Sequence, residues 1–176
     1  MRISFQPMFN RYLDTTGAIP GRCGLLRCQS EWAEILREVA VEAFETMVGV
    51  TVTVSKDVEA LILAEVTGMV GIAGQVCAVF SMRCSLKAAT LLSSQMLGVS
   101  LEEAEAQRTD AVGEMCNIIA GSFKAKAGMG ETCVLSIPMV LAGTNFQIHS
   151  TGRTWSLGLP LYYEGEPIWI ALNIKV

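Results

Sequence analysis

An uncharged run, residues 66–82, constrains the fold more than any other feature. Its seventeen residues reach only the lower limit of the roughly 17 to 25 that a membrane-spanning helix needs. It is interrupted by residues that weaken a helix or require hydrogen-bond partners: Gly68, Gly71, Gly74 and Gln75. β-branched residues alternate around them. We therefore interpret the run as two buried strands joined by a turn, and we expect no insertion into a membrane.

The composition supports one folded domain rich in apolar residues. Of 176 residues, 51% are hydrophobic and 17% are charged, and the mean hydropathy is +0.43. A disordered chain has the opposite balance. The net charge of -4 provides no basic stripe that could neutralise phosphates, so nucleic acid is not an expected partner.

The charges divide the chain into two parts. Residues 1–30 carry four arginines and one aspartate, together with prolines and glycines and no apolar periodicity. They are predicted to form a poorly ordered extension, and residues 31–176 a single acidic domain. The extension lacks the apolar core of a secretory signal, so export is not expected.

The six cysteines show no spacing typical of a metal site. No C-x-x-C pair occurs, and His149 is the single histidine, so neither a zinc site nor another metal site is expected. Free buried thiols in a cytoplasmic protein are the preferred interpretation. A catalytic thiol needs a base nearby, and the sequence offers one histidine, so Cys116 is not expected to act as a catalytic thiol.

Periodicity and capping residues predict the order of the elements. Three helices are expected: one over 32–48 with Ser30 as N-cap, one over 86–97 between Ser85 and Gly98, and one from the capping box of Ser100 and Glu103 to about Gly128. Strands are expected at 50–54, within 61–82, at 133–141 and 146–150, and as a hairpin over 157–174 that turns at 164–166. This order predicts an α+β fold with a largely antiparallel sheet and long helices packed on one face.

The third helix separates polar from apolar residues. At about 100° per residue, its apolar residues fall on one side: Val112, Met115, Ile119 and Phe123. Its polar and small residues fall on the other side, each within about 40° of Asp110: Asp110, Glu114, Asn117, Gly121 and Lys124. Asparagine and glycine weaken a helix, so their position on one exposed stripe indicates that another molecule approaches closely; an ordinary solvated face is the alternative.

The stripe resembles a known signature. Asp110-x-x-x-Glu114-x-x-Asn117 is similar to the D/S-x-x-x-E-x-x-N motif of the CheC, CheX and FliY chemotaxis phosphatases. The segment E-V-T-G-M-V-G-I-A-G from Glu65 to Gly74, and the helix that ends in M-L-G at Gly98, resemble CheX-like members in content and order. The resemblance covers residues 31–176.

The resemblance implies hydrolysis of the aspartyl phosphate of a CheY-type response regulator. Asn117 is then expected to orient the attacking water, and Glu114 to pair with the regulator's active-site lysine. Asp110 and Gly121 are expected at the contact with this partner. No cofactor of the chain's own is expected, since the regulator's active site would hold the Mg²⁺.

The resemblance also implies one site per chain and a pair of chains. The first helix has acids at Glu38 and Glu42, but Val41 and Glu45 stand where a second motif needs asparagine, which favours the CheX-like subgroup. Relatives of this type pair through sheet edges, so a homodimer is expected. Two alternatives remain: a non-catalytic module that binds a receiver or motor protein, and a structural protein that binds peripherally to a membrane.

Overall fold

A computed structural model describes residues 22–55, 64–144 and 152–175. Its helices are α1 (Arg22–Val48), α2 (Leu86–Leu97), α3 (Leu101–Ala104) and α4 (Arg108–Lys126), with a 3₁₀ turn (Glu105–Gln107) between α3 and α4. Its strands are β1 (Thr53–Val54), β2 (Val66–Gly74), β3 (Ala78–Cys84), β4 (Cys133–Leu135), β5 (Met139–Ala142), β6 (Thr154–Tyr163) and β7 (Glu166–Lys175).

These strands form one antiparallel sheet in the order β1-β6-β7-β3-β2. The remaining edge of β2 is shared, because β5 pairs with Val66 to Met69 and β4 pairs with Ile72 to Gly74. The described helices pack on one face of this sheet, as the alternate burial along β3 and β7 indicates. The predicted α+β class and antiparallel sheet are confirmed.

The core lies between the helices and that face of the sheet. The sheet and the helices both contribute large, fully buried side chains to it. They include Phe80 and Ile170 from the sheet and Phe44, Met115 and Phe123 from the helices. Burial of such side chains removes apolar surface from water and holds α4 firmly in place.

Several local predictions are confirmed. Residues 66–82 form the β2-β3 hairpin, and no helix within the described ranges is long and apolar enough to cross a membrane. The Ser85 hydroxyl accepts a hydrogen bond from the Ala88 N–H at 3.0 Å, Gly98 ends α2 in a left-handed conformation, and Ser100 and Glu103 form the capping box. The β6-β7 hairpin turns at Glu164 and Gly165, as expected.

Helix boundaries were predicted less well. Helix α1 begins at Arg22, so Ser30 lies inside the helix and does not cap it. Residues 1–21, most of the predicted extension, lie outside the described part of the chain. The expected third helix is divided by the 3₁₀ turn, because Gln107 leaves helical geometry at φ -110° and ψ 5°. Helix α4 is therefore about 28 Å long, whereas an unbroken helix from Ser100 to Gly128 would span about 40 Å.

The expected strand 133–141 is two strands. Pro138 has no N–H to donate to a ladder. Two residues earlier, the Ser136 N–H still donates to the Gly71 carbonyl oxygen, but the Gly71 N–H donates to the Ser136 hydroxyl and not to a backbone carbonyl. Only Thr53 and Val54 of the expected strand 50–54 pair with β6. The strand expected at 146–150, with His149, lies outside the described residues.

Candidate functional site

Helix α4 is fixed by its apolar side. As the helical wheel predicted, this side is fully buried: Val112, Met115, Ile119 and Phe123 are each 0% exposed. Trp32 of α1 reinforces the packing, since its ring lies edge-on to Phe123 at a centroid distance of 6.0 Å. The opposite side of α4 must therefore face outward.

Three of the residues singled out from the sequence lie on that outward side. Asp110 and Glu114 are exposed, and Asn117 is half-buried. Glu114 and Asn117 are three positions apart, which makes them neighbours on one turn of a helix. Asp110 stands in the first turn of α4, where the helix dipole favours a negative charge.

These three side chains form no hydrogen bond or ion pair with any residue that the structure describes. The hydrogen bonds and ion pairs of α4 side chains involve Arg108, Lys124 and Lys126 instead. Two carboxylates and one carboxamide are thus left with their full capacity to bind an external group.

An open cleft of about 450 Å³ adjoins this surface. One wall is polar and belongs to α4, and the other is apolar and belongs to the segment that leads into β5. The lining residues are Thr109, Asp110, Gly113, Glu114, Pro138 and Val140. A cleft with one acidic and one apolar wall suits a basic side chain that has an aliphatic stem.

The apolar wall follows the same row of α4 that carries Asn117. A Cβ added to Gly113 would lie 3.3 Å from Val140 Cγ2 and 3.8 Å from Pro138 Cβ, and one added to Gly121 would lie 3.9 Å from Leu135 Cδ1. Gly113 and Gly121 are each four residues from Asn117, so residues 135–140 run alongside the motif.

Sequence reasoning missed Gly113, Pro138 and Val140. One signal was present, since Gly113, Asn117 and Gly121 recur every four residues, and small residues at this spacing allow another segment to approach a helix closely. The segment involved could not be identified, because it is distant in sequence.

The predicted stripe does not remain open along its whole length. Gly121 and Lys124 are half-buried. The Lys124 ammonium donates hydrogen bonds to the carbonyl oxygens of Gly130 and Cys133 at 2.6 and 2.8 Å. Lys124 therefore anchors the end of α4, and the part of the stripe with two exposed carboxylates ends at Asn117.

The thiols near the motif are poorly suited to nucleophilic chemistry. Burial raises the pKa of Cys116 to about 12, with smaller effects from Cys84 and the backbone of Met82. Burial, followed by the charge of Glu65, likewise raises the pKa of Cys84 to about 12. Both thiols are protonated at neutral pH.

The cysteines with described side chains are free. Cys84, Cys116 and Cys133 are buried, whereas Cys77 is exposed, contrary to the expectation of buried thiols throughout. Within residues 22–55, 64–144 and 152–175, no three His, Cys, Asp or Glu side chains are grouped as a metal site would require.

Comparison with known proteins was made for sequence and for fold. The family model described as "Chemotaxis phosphatase CheX" matches residues 66–161, which include β2 to β5, the motif and most of β6. No curated protein matches the chain.

The fold is similar to those of several solved chemotaxis proteins. A complex of CheX and CheY with BeF3 and Mg²⁺ from Borrelia burgdorferi superposes with a TM-score of 0.70 at 21% identity, over 82% of this chain and 98% of that chain. The chemotaxis protein CheX of Vibrio vulnificus gives 0.69 at 20% identity, over 84% and 98%. FliY of Thermotoga maritima gives 0.57 at 19% identity, over 85% and 89%.

Proposed function

The CheX family model matches more than half of the sequence, so the chain belongs to the chemotaxis phosphatase CheX family. We propose that it hydrolyses the aspartyl phosphate of a CheY-type response regulator. The observation that carries the proposal is the outward side of α4: Glu114 exposed, Asn117 beside it, and neither bonded to a described residue. In this proposal residues 31–176 are the phosphatase domain and act in the cytoplasm.

The chemistry requires little from this chain. Phosphoryl transfer depends mainly on an in-line nucleophile and on stabilisation of charge. The regulator supplies the phosphoryl group, the lysine and the Mg²⁺, as the resemblance to CheX-like phosphatases implies. This chain then needs to contribute one group that orients water and one that holds the partner in register.

Asn117 is the proposed catalytic residue. Its carboxamide has a carbonyl oxygen that can accept a hydrogen bond from the attacking water and an amide group that can donate one toward the phosphoryl oxygens. Its half-buried position restricts its rotamers, so less entropy is lost when the water is placed.

Glu114 is proposed to pair with the regulator's lysine. A charge-assisted bond of this kind is stronger when docking removes both groups from water. Asp110 lies one turn earlier in the same cleft, and we propose that it contacts a further basic group of the regulator. Gly121 is proposed to admit the regulator's backbone, since only the ordinary 3.9 Å contact to Leu135 would meet an added Cβ.

One such site per chain is proposed. On α1, Glu38 and Glu42 are exposed but are already paired with Lys126 at 2.9 and 2.8 Å. Because these carboxylates hold α1 to α4, and because no asparagine follows them at the required spacing, α1 offers no second motif.

We also propose a homodimer that forms through the edge of the sheet. The short strands at that edge and their connection expose four large apolar side chains: Val134, Ile137, Met139 and Leu141, at 66%, 81%, 55% and 42%. Unpaired edge strands with apolar side chains readily pair with another chain. A second copy that extends the sheet at β4 and β5 would cover them.

The experiment measures phosphate release from a phosphorylated CheY-type receiver domain. The proposal expects turnover well above the receiver's spontaneous rate. Glu114→Gln, which keeps the shape and removes the charge, should weaken turnover mainly through a higher KM. Glu102→Gln is the matched control, because Glu102 is an exposed acid on α3 outside the cleft.

The same assay separates the phosphatase from a non-catalytic module. A module would bind the phosphorylated receiver tightly without changing its rate of dephosphorylation. Tight binding at the spontaneous rate would therefore overturn the phosphatase and favour the receiver-binding alternative.

A further inference from the structure

The open cleft beside α4 extends beyond the residues proposed for catalysis. Asp110 comes seven residues before Asn117, which on a helix is about 10 Å along the axis at nearly the same angle. Glu114 lies between them. The cleft is lined by Asp110 and Glu114, so it runs from the proposed catalytic pair toward the first turn of α4.

The acidic end of the cleft has no partner within the described part of the chain. Asp110 is exposed, and neither its carboxylate nor the Thr109 hydroxyl forms a hydrogen bond with a described residue. The nearest cation in sequence, Arg108, lies 3.9 Å from a carboxylate oxygen of Glu105 and forms no ion pair with Asp110. This end of the cleft therefore keeps a negative charge and two groups that can accept hydrogen bonds.

The floor and the far wall of the cleft carry no charge. Gly113 has no side chain, so the floor is helix backbone. A Cβ at this position would lie 3.3 Å from Val140 Cγ2 and 3.8 Å from Pro138 Cβ. A group that enters the cleft thus meets aliphatic carbon on one side and carboxylates on the other.

The proposed dimer does not occupy this wall. Val140 pairs in register with Gly68, where an added Cβ would collide with Val112 of α4, so Val140 faces the helices. Its neighbours Met139 and Leu141 face away from them, because successive side chains of a strand alternate. A second copy that covers Met139 and Leu141 would leave Val140 and the cleft accessible.

Building on the proposed function, we propose that the cleft is a specificity pocket for a second basic side chain of the regulator, distinct from its active-site lysine. The charged end of this lysine or arginine binds the Asp110 carboxylate and the Thr109 hydroxyl oxygen, and its aliphatic stem packs on Pro138 and Val140. Because Asp110 is about 10 Å from Asn117, the basic residue lies at a similar distance from the phosphoryl group. A residue outside the regulator's active site is free to differ between receivers, so this pocket selects among them.

The shape of the cleft favours a protein side chain over a small molecule or a metal ion. Pockets for small molecules enclose about 70 to 90% of the ligand surface, whereas this cleft of about 450 Å³ is open to solvent. A divalent cation needs about six oxygen ligands, and among the described residues no three His, Cys, Asp or Glu side chains are grouped to supply them. A side chain carried by a docked protein has neither requirement.

The test measures the Kd of the full chain for a CheY-type receiver domain that carries BeF3 and Mg²⁺ in place of the phosphoryl group. Binding is then measured without hydrolysis. Asp110→Arg should raise this Kd about tenfold or more, because two like charges then face each other.

A charge exchange identifies the residue that the cleft binds. In the receiver, each exposed lysine or arginine around the phosphorylation site is changed singly to glutamate, the active-site lysine excepted. One of these receiver variants should bind the wild-type chain about tenfold more weakly. The same receiver variant should bind Asp110→Arg more tightly than the unchanged receiver does, because the opposite charges are restored in reverse.

Two further variants separate the cleft from general charge and from folding. Glu131→Arg reverses an exposed acid that lies outside the cleft and should leave the Kd unchanged. Val140→Thr keeps the shape of the wall but replaces a methyl group with a hydroxyl, and it should raise the Kd about threefold. Thermal unfolding of each variant checks that the fold is intact.

A Kd that Asp110→Arg leaves unchanged would overturn the pocket, and so would a weakened Asp110→Arg that no receiver variant restores. Charge exchange without phosphate release above the spontaneous rate would instead overturn the proposed function and leave the pocket standing. Titration of the chain alone with Mg²⁺ provides the competing outcome. Saturable Mg²⁺ binding that Asp110→Asn abolishes, with no receiver variant that restores Asp110→Arg, would assign the cleft to a metal ion and contradict the pocket.

Discussion

Gly113 and Gly121 of α4 face the same neighbouring segment at different distances. An added Cβ would lie 3.3 Å from Val140 at Gly113 but 3.9 Å from Leu135 at Gly121. The first distance is tight enough to require a shift of the neighbour, and the second is an ordinary contact. Packing within the chain thus accounts for glycine at position 113, whereas position 121 leaves room for a partner.

The two positions predict different responses to alanine. Gly121→Ala should raise the free energy of unfolding by up to about 1 kcal/mol, because alanine favours the helix. Gly113→Ala should raise the free energy of unfolding less than Gly121→Ala does, or should lower it, since Val140 must move. Urea unfolding of both variants measures the difference, and a larger gain at position 113 would contradict the packing described.

The buried thiols couple stability to alkaline pH. Burial holds the pKa values of Cys84 and Cys116 at about 12, above the ordinary 9.0. An unfolded chain therefore releases these protons at lower pH than the folded chain. Their contribution is complete below pH 9 and is lost as the pH rises toward 12.

Removal of one thiol should therefore flatten this dependence. Cys116→Ala should lower stability at pH 7, because it leaves a cavity, yet it should lose less stability than the wild-type chain between pH 8 and pH 10.5. Cys77→Ala, at an exposed position, is the control. Identical slopes in the wild-type chain and in Cys116→Ala would contradict the assignment of the slope to this thiol.

At the scale of elements, the wall of the cleft depends on one serine. The Ser136 hydroxyl accepts a hydrogen bond from the Gly71 N–H at 2.9 Å and donates one to the Ile137 carbonyl oxygen at 2.9 Å, while its own N–H donates to the Gly71 carbonyl oxygen. These bonds fix the bend between β4 and β5, which brings Pro138 and Val140 against α4.

Ser136→Ala should loosen this bend. Loss of the side-chain bonds should cost about 0.5 to 1.5 kcal/mol and should accelerate amide hydrogen exchange from residue 136 to Val140. Ser156→Ala, which removes a hydroxyl bonded to Asn173 at 2.6 Å far from the cleft, is the control. Unchanged exchange around the bend would show that Pro138 alone maintains it.

Local sequence signals predicted most helices and strands correctly, but they predicted the boundaries of these elements less well. Caps at Ser85 and Ser100 were readable because each bond lies within four residues of sequence. The bend at Ser136 was not, since its partner Gly71 is 65 residues away. The side of α4 that faces outward followed from periodicity, whereas the cleft depends on which distant segment packs beside Gly113.

At the scale of the whole molecule, the apolar composition has a structural explanation. One face of the sheet is covered by helices, and the edge at β4 and β5 exposes apolar side chains that a second subunit would cover. Charge is also divided in the described part of the chain, since its acids lie on helices, turns and loops, apart from Glu166 at the start of β7, while the outward positions of its strands carry none. The two sides of the molecule therefore suit different partners.

The proposed dimer predicts that a charge at the edge separates the subunits. The wild-type chain should have the mass of a dimer in light scattering after size exclusion, and Met139→Lys should have the mass of a monomer, because a lysine on an edge strand opposes pairing. Leu97→Lys, at an exposed apolar position on α2, should remain dimeric. A monomeric wild-type chain would contradict the dimer.

Asn117 carries the central claim, and its turnover tests that claim most directly. We expect Asn117→Ala to lower kcat for phosphate release from a phosphorylated receiver by about 100-fold or more, because the attacking water is no longer oriented. Its Kd for the phosphorylated receiver should stay within about threefold of the wild-type value, as expected when a group acts in the transition state. A kcat equal to that of the wild-type chain would contradict the account.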